Sequence, residues 1–166
     1  MSDAPSRKEL IEEYAHGGEK LSLAIRGLTR EDLIAKPDAG ANVGLWSIQQ
    51  VVIHLMDSDL IGADRMKRLI AEDNPTLIGY DETRFANSLF YDDQSAEEAV
   101  RIFDANRKLF AVVLRKLPEK TFDRAGMHNE AGRVTLGDQL KKYVEHFEHH
   151  LKFIHRKREK MGKEMW

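Results

Sequence analysis

The chain has 166 residues, 42% of them hydrophobic and 33% charged, and a formal net charge of −2 at pH 7. These values fit one globular domain over residues 1–166 and give no overall attraction to nucleic acid. Cysteine is absent, which excludes disulfides and a cysteine nucleophile and fits a cytoplasmic protein. We expect no signal peptide and no membrane association, because no apolar run approaches the roughly 20 residues that cross a bilayer.

The first predicted helix begins after Ser6, a helix-capping residue, and its apolar positions recur at helical spacing to about Leu28. Two glycines, Gly17 and Gly18, interrupt this pattern. Glycine inside a helix costs about 1 kcal/mol relative to alanine, so the pair indicates close packing or a bend. A short helical turn at 29–33 and a loop rich in Pro, Gly and Asn follow.

A second long helix is expected from Ser47 to about Glu72, with a broad apolar face. Residues 73–94 then form a long connection, in which 81–90 are predicted to form a short helix. Long connections in compact domains are often functional. The alternative is a crossover between two helices that are not neighbours, which helical bundles also use.

A third helix is predicted from Ser95 to Leu117, and residues 118–134 are expected to form a loop. Thr135, with Asp138 three residues later, caps the fourth helix. No segment alternates convincingly with a period of two residues, so little points to strands. The pattern predicts an all-α fold, a four-helix bundle with a long crossover between helices 2 and 3.

Three histidines on two predicted helices are the candidate metal ligands. His146 and His150 are four residues apart and therefore share one helix face, and His54 lies in the middle of the second helix. Facing helices of a bundle bring such side chains together. Three neutral imidazoles suit Zn²⁺, Ni²⁺, Fe²⁺ or Co²⁺, and the ligand type does not choose among them. The alternative is a set of partly buried histidines held by hydrogen bonds.

Other polar residues are weaker candidates. His149 points about 100° away from His150 on a helix, so it is expected to flank the site or face solvent. Tyr143 and Glu145 are candidate catalytic residues, as a hydrogen-bond donor to a substrate oxyanion and as a base. Their alternatives are a core tyrosine and a solvated carboxylate. Arg107 is a candidate anchor for an anionic substrate.

The remaining histidines and the basic tail have simpler explanations. His16, His128 and His155 are expected to be structural or exposed. The alternative for His128, which lies in a predicted loop, is that it lines the mouth of a site. The basic segment 155–160 resembles a nucleic-acid patch. It also lies at a helix C-terminus, where positive charge is stabilised by the helix dipole, and we favour this second explanation.

Three segments resemble the DinB/YfiT-like superfamily. LWSIQQVVIHL at 45–55 is similar to its first histidine motif, and GRVTLGDQL at 132–140 followed by HFEHHL at 146–151 is similar to its C-terminal motif. DETRF at 81–85 is similar to the loop between helices 2 and 3. The resemblance covers nearly the whole chain in order and spacing. It implies an up-up-down-down-type four-helix bundle, often a homodimer, with zinc or nickel on three histidines, carried over as His54, His146 and His150.

The family's activities imply a metal-dependent enzyme with a small-molecule substrate. One reaction is hydrolysis by a water that the ion acidifies, and the other is transfer or isomerisation with a low-molecular-weight thiol. The sequence does not choose between them. A non-catalytic metal-binding or dimerising bundle, associated with stress, is the alternative of another class. An acid or base within reach of the ion's open position would favour the enzyme.

Overall fold

The computed structural model describes residues 5–38 and 43–165. The first four residues and the middle of the predicted loop before Ser47 lie outside these ranges. The described chain is mostly helical, which confirms the predicted class. Its helices are α1 (Arg7–Ile25), α2 (Arg30–Ile34), α3 (Ile48–Ala71), α4 (Glu82–Ser88), α5 (Ala96–Lys116) and α6 (Leu136–Lys160).

The four long helices begin at capped residues, as the sequence predicts. Ser6, Ser47, Ser95 and Thr135 each accept a hydrogen bond from the backbone N–H three residues ahead. Such a bond satisfies one of the donors that a helix N-terminus leaves unpaired. The start of each helix is therefore fixed by local chemistry, before any packing is considered.

Helix directions follow from contacts between side chains. Glu12 of α1 pairs with Arg115 of α5, so these helices run antiparallel. Gln49 of α3 donates to the carbonyl oxygen of Gln94 just before α5, and Asp59 further along α3 pairs with Arg107 of α5. Helices α3 and α5 are therefore parallel and are joined by the long crossover.

The resulting order is up-down-down-up, because α6 runs parallel to α1. Near its beginning α6 lies against Arg7, and near its end Arg158 donates to the carbonyl oxygen of Ala24. The up-up-down-down order implied by the resemblance is wrong. Among the four long helices of the described ranges, only α3 and α5 are consecutive and parallel, and the long connection joins them, so the predicted crossover is confirmed.

A small sheet covers one end of the bundle, and the prediction of a plain loop at 118–134 is wrong. The sheet contains β1 (Thr76–Leu77), β2 (Ala125–His128) and β3 (Gly132–Thr135). Strand β1 pairs parallel with β2, and β2 pairs antiparallel with β3. Strands of two to four residues are too short to show an alternating pattern in the sequence. Their stability comes from pairing with one another, including with β1 in the crossover, which a local pattern does not predict.

Three glycines let the helices approach closely. A Cβ at Gly17 would lie 2.6 Å from an Arg107 nitrogen, and one at Gly18 would lie 2.2 Å from an Asp104 carboxylate oxygen. Helix α1 continues unbroken through both glycines, so they serve close packing and not a bend. On α3, a Cβ at Gly62 would overlap the ring of Tyr143. Gly62 therefore lets α6 lie against α3 next to the histidines.

The core contains a buried ion pair. Arg107 Nε donates to Asp59 Oδ1 at 2.8 Å, and the two side chains are only 1% and 2% exposed. The guanidinium also donates to the carbonyl oxygens of Tyr14 and Tyr143. Arg107 thus connects α5 to α1, α3 and α6. It is a structural residue, and the interpretation of Arg107 as a substrate anchor is wrong.

The basic tail is partly buried. Lys157 donates to the carbonyl oxygen of Val43, and Arg158 donates to those of Ala24, Arg26 and Lys163. Two of the tail's cations therefore satisfy carbonyls from other parts of the chain instead of facing solvent. No helix in the described ranges is both long enough and apolar enough to span a membrane.

Candidate metal centre

Helices α3 and α6 run antiparallel and bring three histidines together. One ring nitrogen each from His54, His146 and His150 lies within 4.8 Å of the other two. The Nε2 atoms of His54 and His146 are 3.1 Å apart. The ring centroids are separated by 5.1 Å for His54 and His146, 4.8 Å for His54 and His150, and 4.6 Å for His146 and His150.

Burial keeps these three rings neutral. It lowers the pKa of His54 to about 3, that of His146 to about 3 and that of His150 to about 4. Repulsion from His150 adds to the effect at His54 and His146, and repulsion from His149 and Lys157 adds to it at His150. A neutral imidazole has a lone pair available for a metal ion. The cluster is therefore ready to bind a cation at neutral pH without first losing protons.

The donor set fits a divalent metal ion. Imidazole nitrogens about 2.0–2.1 Å from a common ion lie roughly 3.0–3.4 Å apart, and the pair at 3.1 Å agrees with this spacing. Two facing ring nitrogens so close together must share either a proton or a cation. Nitrogen ligands suit zinc, nickel, iron or cobalt. Three protein ligands leave further coordination positions for water or substrate.

Packing positions the ring of His54. Its Nδ1 is buried without a hydrogen-bond partner among the described residues, so no hydrogen bond orients the ring from behind. Trp46, just before α3, instead lies edge-on against it with the ring centroids 5.1 Å apart. Trp46 therefore has a place beside the site that the sequence did not assign.

Glu82 is a carboxylate next to the cluster that no residue pattern singled out in the sequence. It is the first residue of α4, and its Oε2 lies 3.7 Å from His54 Nε2. It belongs to the segment at 81–85 that carries part of the resemblance, which was the available signal. The crossover between α3 and α5 thus carries a candidate functional residue in addition to connecting the two helices.

Two cavities adjoin the cluster. The first, of about 220 Å³, is polar and is bordered by His54 and His146, by Tyr143 and by residues of the crossover and the β2–β3 hairpin. The second, of about 300 Å³, is more apolar and is bordered by His150, Trp46 and Phe153. Glu82 borders both cavities. The cluster therefore lies between a polar and an apolar space.

The two candidate catalytic residues have different surroundings. Tyr143 is buried on the wall of the polar cavity, and its hydroxyl accepts a hydrogen bond from Arg65 at 3.1 Å. Glu145 is exposed, lies 3.7 Å from Lys141 and borders neither cavity. The structure brings Tyr143 to the site and leaves Glu145 outside it. Asp57, three residues after His54, accepts a hydrogen bond from the Tyr91 hydroxyl at 2.6 Å.

The other histidines lie outside the cluster, as the direction of His149 on its helix predicts. His149 is exposed, with its ring 4.9 Å from that of Phe153, and it stays outside the cluster. His155 is half-buried and His16 is exposed. His128 is buried in β2 instead of lying in a loop, and it borders the polar cavity.

The DinB superfamily matches residues 4–154 of this chain. Because the match covers most of the sequence, the chain belongs to that superfamily. A "Putative metal-dependent hydrolase" of Oceanobacillus iheyensis is 32% identical over 117 residues, which are 70% of this chain and 67% of that protein. The resemblance inferred from the histidine motifs is therefore confirmed.

Two solved structures share the fold. YfiT from Bacillus subtilis, described as a "probable metal-dependent hydrolase" with an unusual four-helix bundle topology, aligns with a TM-score of 0.87 and 24% identity over 98% of this chain and 93% of its own. The mycothiol-dependent maleylpyruvate isomerase aligns with a TM-score of 0.69 and 12% identity. The alignment covers 93% of this chain and 63% of the isomerase. At these identities the likeness shows the fold alone.

Proposed function

We propose that His54, His146 and His150 bind one divalent ion, zinc or nickel, and that the chain is a metal-dependent hydrolase. The observation that carries the proposal is a set of three neutral imidazoles with a carboxylate, Glu82, 3.7 Å from one of them. When bound, such an ion supplies Lewis acidity and lowers the pKa of a coordinated water toward about 7.

The chain's own residues supply the remaining chemistry. Glu82 accepts a proton from water at the cluster, which is the role of a general base. The hydroxyl of Tyr143 already accepts from Arg65 and can donate its own hydrogen to a substrate oxygen on which charge develops. The apolar cavity next to His150 takes the less polar part of the substrate.

Thiol transfer is the second candidate function. The shared fold with an isomerase whose name includes mycothiol supports it, and a low-molecular-weight thiol would then be a cosubstrate. Glu82 would accept the thiol's proton. The non-catalytic bundle is less well supported, because a carboxylate and two cavities adjoin the cluster.

A cytoplasmic homodimer completes the proposal. The dimer is supported by a stripe of exposed apolar side chains on α5, including Leu109, which is 72% exposed. The others are Ile102, Val112 and Val113. Pairing two such stripes would remove apolar surface from water.

The metal proposal is tested by elemental analysis after reconstitution with Zn²⁺ or Ni²⁺. We expect about one ion per chain, and His150→Ala should lose most of the metal affinity because it removes one of three ligands. His155→Ala is the matched control, a histidine five residues along the same helix and outside the cluster. Equal losses in the two variants, or no bound metal in the unmodified chain, would refute the site.

The reaction is tested by screening the metal-loaded chain with ester and amide substrates and, in parallel, with electrophiles plus small thiols. Turnover without thiol supports hydrolysis, and turnover that requires thiol supports transfer. His54→Ala serves as the control, since activity that survives loss of a ligand does not come from this centre. Absence of both activities across the screen would favour the non-catalytic alternative.

A further inference from the structure

The polar cavity contains a buried donor without an acceptor. His128 is 5% exposed, and its Nδ1 accepts hydrogen bonds from the backbone N–H groups of Glu130 and Ala131, each at 3.2 Å. Because Nδ1 is the acceptor, the hydrogen of the neutral ring is on Nε2. Nε2 is buried and has no hydrogen-bond partner among the described residues. A buried donor left unpaired costs about 1–3 kcal/mol.

Arg65 adds a second unpaired donor on the same wall. Its side chain is 5% exposed, and it donates to the Tyr143 hydroxyl and to the carbonyl oxygen of Ile78. Its Nε has no partner, and no carboxylate of the described residues forms an ion pair with it. The hydroxyl hydrogen of Tyr143 is also left free to donate, since its oxygen accepts from Arg65.

Lys142 supplies a second positive charge at the mouth of this cavity. Burial lowers the pKa of Lys142, repulsion from Arg65 lowers it further, and attraction to the Glu130 carboxylate offsets part of the shift. Neither carboxylate that borders the cavity lies within ion-pair distance of these cations. Glu82 lies beside His54, and the carboxylate of Glu130 packs against Gly79.

We infer that this end of the polar cavity binds an anionic group of the substrate, a carboxylate or a phosphate, through Lys142, His128 and Tyr143. The inference rests on the proposed function, because it assigns a substrate class to the same site. One oxygen-rich anion would accept from the unpaired donors and balance the charge of Arg65 and Lys142. Such a group would hold the rest of the substrate next to the histidine cluster.

The test measures binding of inorganic phosphate and of acetate to the full chain by calorimetry. Metal-free protein is used first, so that coordination to an ion does not contribute. We expect saturable binding of at least one anion, and the stronger of the two identifies the source of the group. Lys142→Met should weaken it about tenfold or more, which corresponds to about 1.4 kcal/mol.

Lys141→Met is the matched control. Lys141 is the adjacent residue on α6, pairs with Glu145 and does not border the cavity, so its loss should leave the affinity unchanged. His128→Asn is a second variant, because the asparagine oxygen can replace Nδ1 as the acceptor of the hairpin N–H groups while Nε2–H is removed. It should also weaken anion binding while keeping the thermal unfolding midpoint near that of the unmodified chain.

The outcomes separate the inference from the proposed function. Absence of saturable binding of both anions, or equal weakening in Lys142→Met and Lys141→Met, overturns the anion site even when the chain binds its metal ion. A chain that binds no metal but retains anion binding sensitive to Lys142→Met supports the anion site and refutes the metal proposal.

Discussion

At the scale of single residues, a carboxylate's role depends on where the fold places it. Glu145 directly precedes His146 in the sequence, yet it faces outward and pairs with Lys141. Glu82 is 28 residues from His54 in the chain, and its carboxylate lies 3.7 Å from that ring. Proximity in the sequence therefore favoured Glu145, whereas the fold of the crossover places Glu82 next to the cluster.

Replacing Glu82 by glutamine should separate catalysis from metal binding. Glu82→Gln keeps the size of the side chain and removes its basicity, so kcat should fall by about 100-fold or more, the usual contribution of a general base. Metal content should stay at about one ion per chain, because the three histidines remain. Activity and elemental analysis on the same preparation measure both quantities.

Glu145→Gln is the control for that substitution. Glu145 borders neither cavity, so both kcat and metal content should remain unchanged. A larger loss of activity in Glu145→Gln than in Glu82→Gln would show that the base was assigned to the wrong helix.

At the scale of elements, the buried pair of Asp59 and Arg107 fixes how the helices meet. Asp59 lies on α3 between His54 and Gly62, and Arg107 reaches the Tyr143 carbonyl one turn before His146. The pair therefore ties together the two helices that carry the histidines. The periodicity of one sequence could not predict this ion pair, because a charged residue on an apolar helix face is equally compatible with binding a substrate.

Removing one partner of this pair should be strongly destabilising. Arg107→Met leaves the Asp59 carboxylate buried without its cation, so the free energy of unfolding should fall by about 3–5 kcal/mol. Urea denaturation followed by circular dichroism measures the change. Combining it with Asp59→Leu should restore part of the loss, because no unpaired buried charge then remains.

Arg115→Met is the comparison for a surface pair. Arg115 pairs with Glu12 across the same two helices that Arg107 connects, α1 and α5, but the two side chains are 42% and 39% exposed. Its loss should change the free energy of unfolding by no more than about 1 kcal/mol. Similar losses in the Arg107 and Arg115 variants would contradict the structural role given to Arg107.

At the scale of the whole molecule, the histidine cluster links folding to pH. The folded chain keeps the pKa values of His54, His146 and His150 at about 3–4, whereas an exposed histidine titrates near 6.5. Between these values the unfolded chain binds protons that the folded chain does not. Lowering the pH through this range therefore favours unfolding.

The metal-free chain should lose stability as the pH falls from 6.5 toward 4. Each histidine contributes a slope of at most about 1.4 kcal/mol per pH unit, and the stability is fully present above pH 6.5. Urea denaturation at a series of pH values measures it. In His54→Gln the slope should become shallower by about the contribution of one histidine. An unchanged slope would show that the ring of His54 is already charged in the folded chain.

The exposed His16 provides the reference for this experiment. His16→Gln should leave the pH dependence as it is in the unmodified chain, because the exposed ring of His16 lies outside the cluster. Saturating metal should raise the stability at pH 7, since an ion that binds only the folded chain stabilises it.

The sequence by itself determined the four long helices, their capped beginnings and the histidine face of α6. These depend on hydrogen bonds and periodicities within a few residues, which are local in the chain. The tertiary structure alone decided the up-down-down-up order, the small sheet, and the meeting of Glu82, His128 and Arg65 around the cluster. Those contacts join residues far apart in sequence, and their energy comes from burial and pairing that no local pattern records.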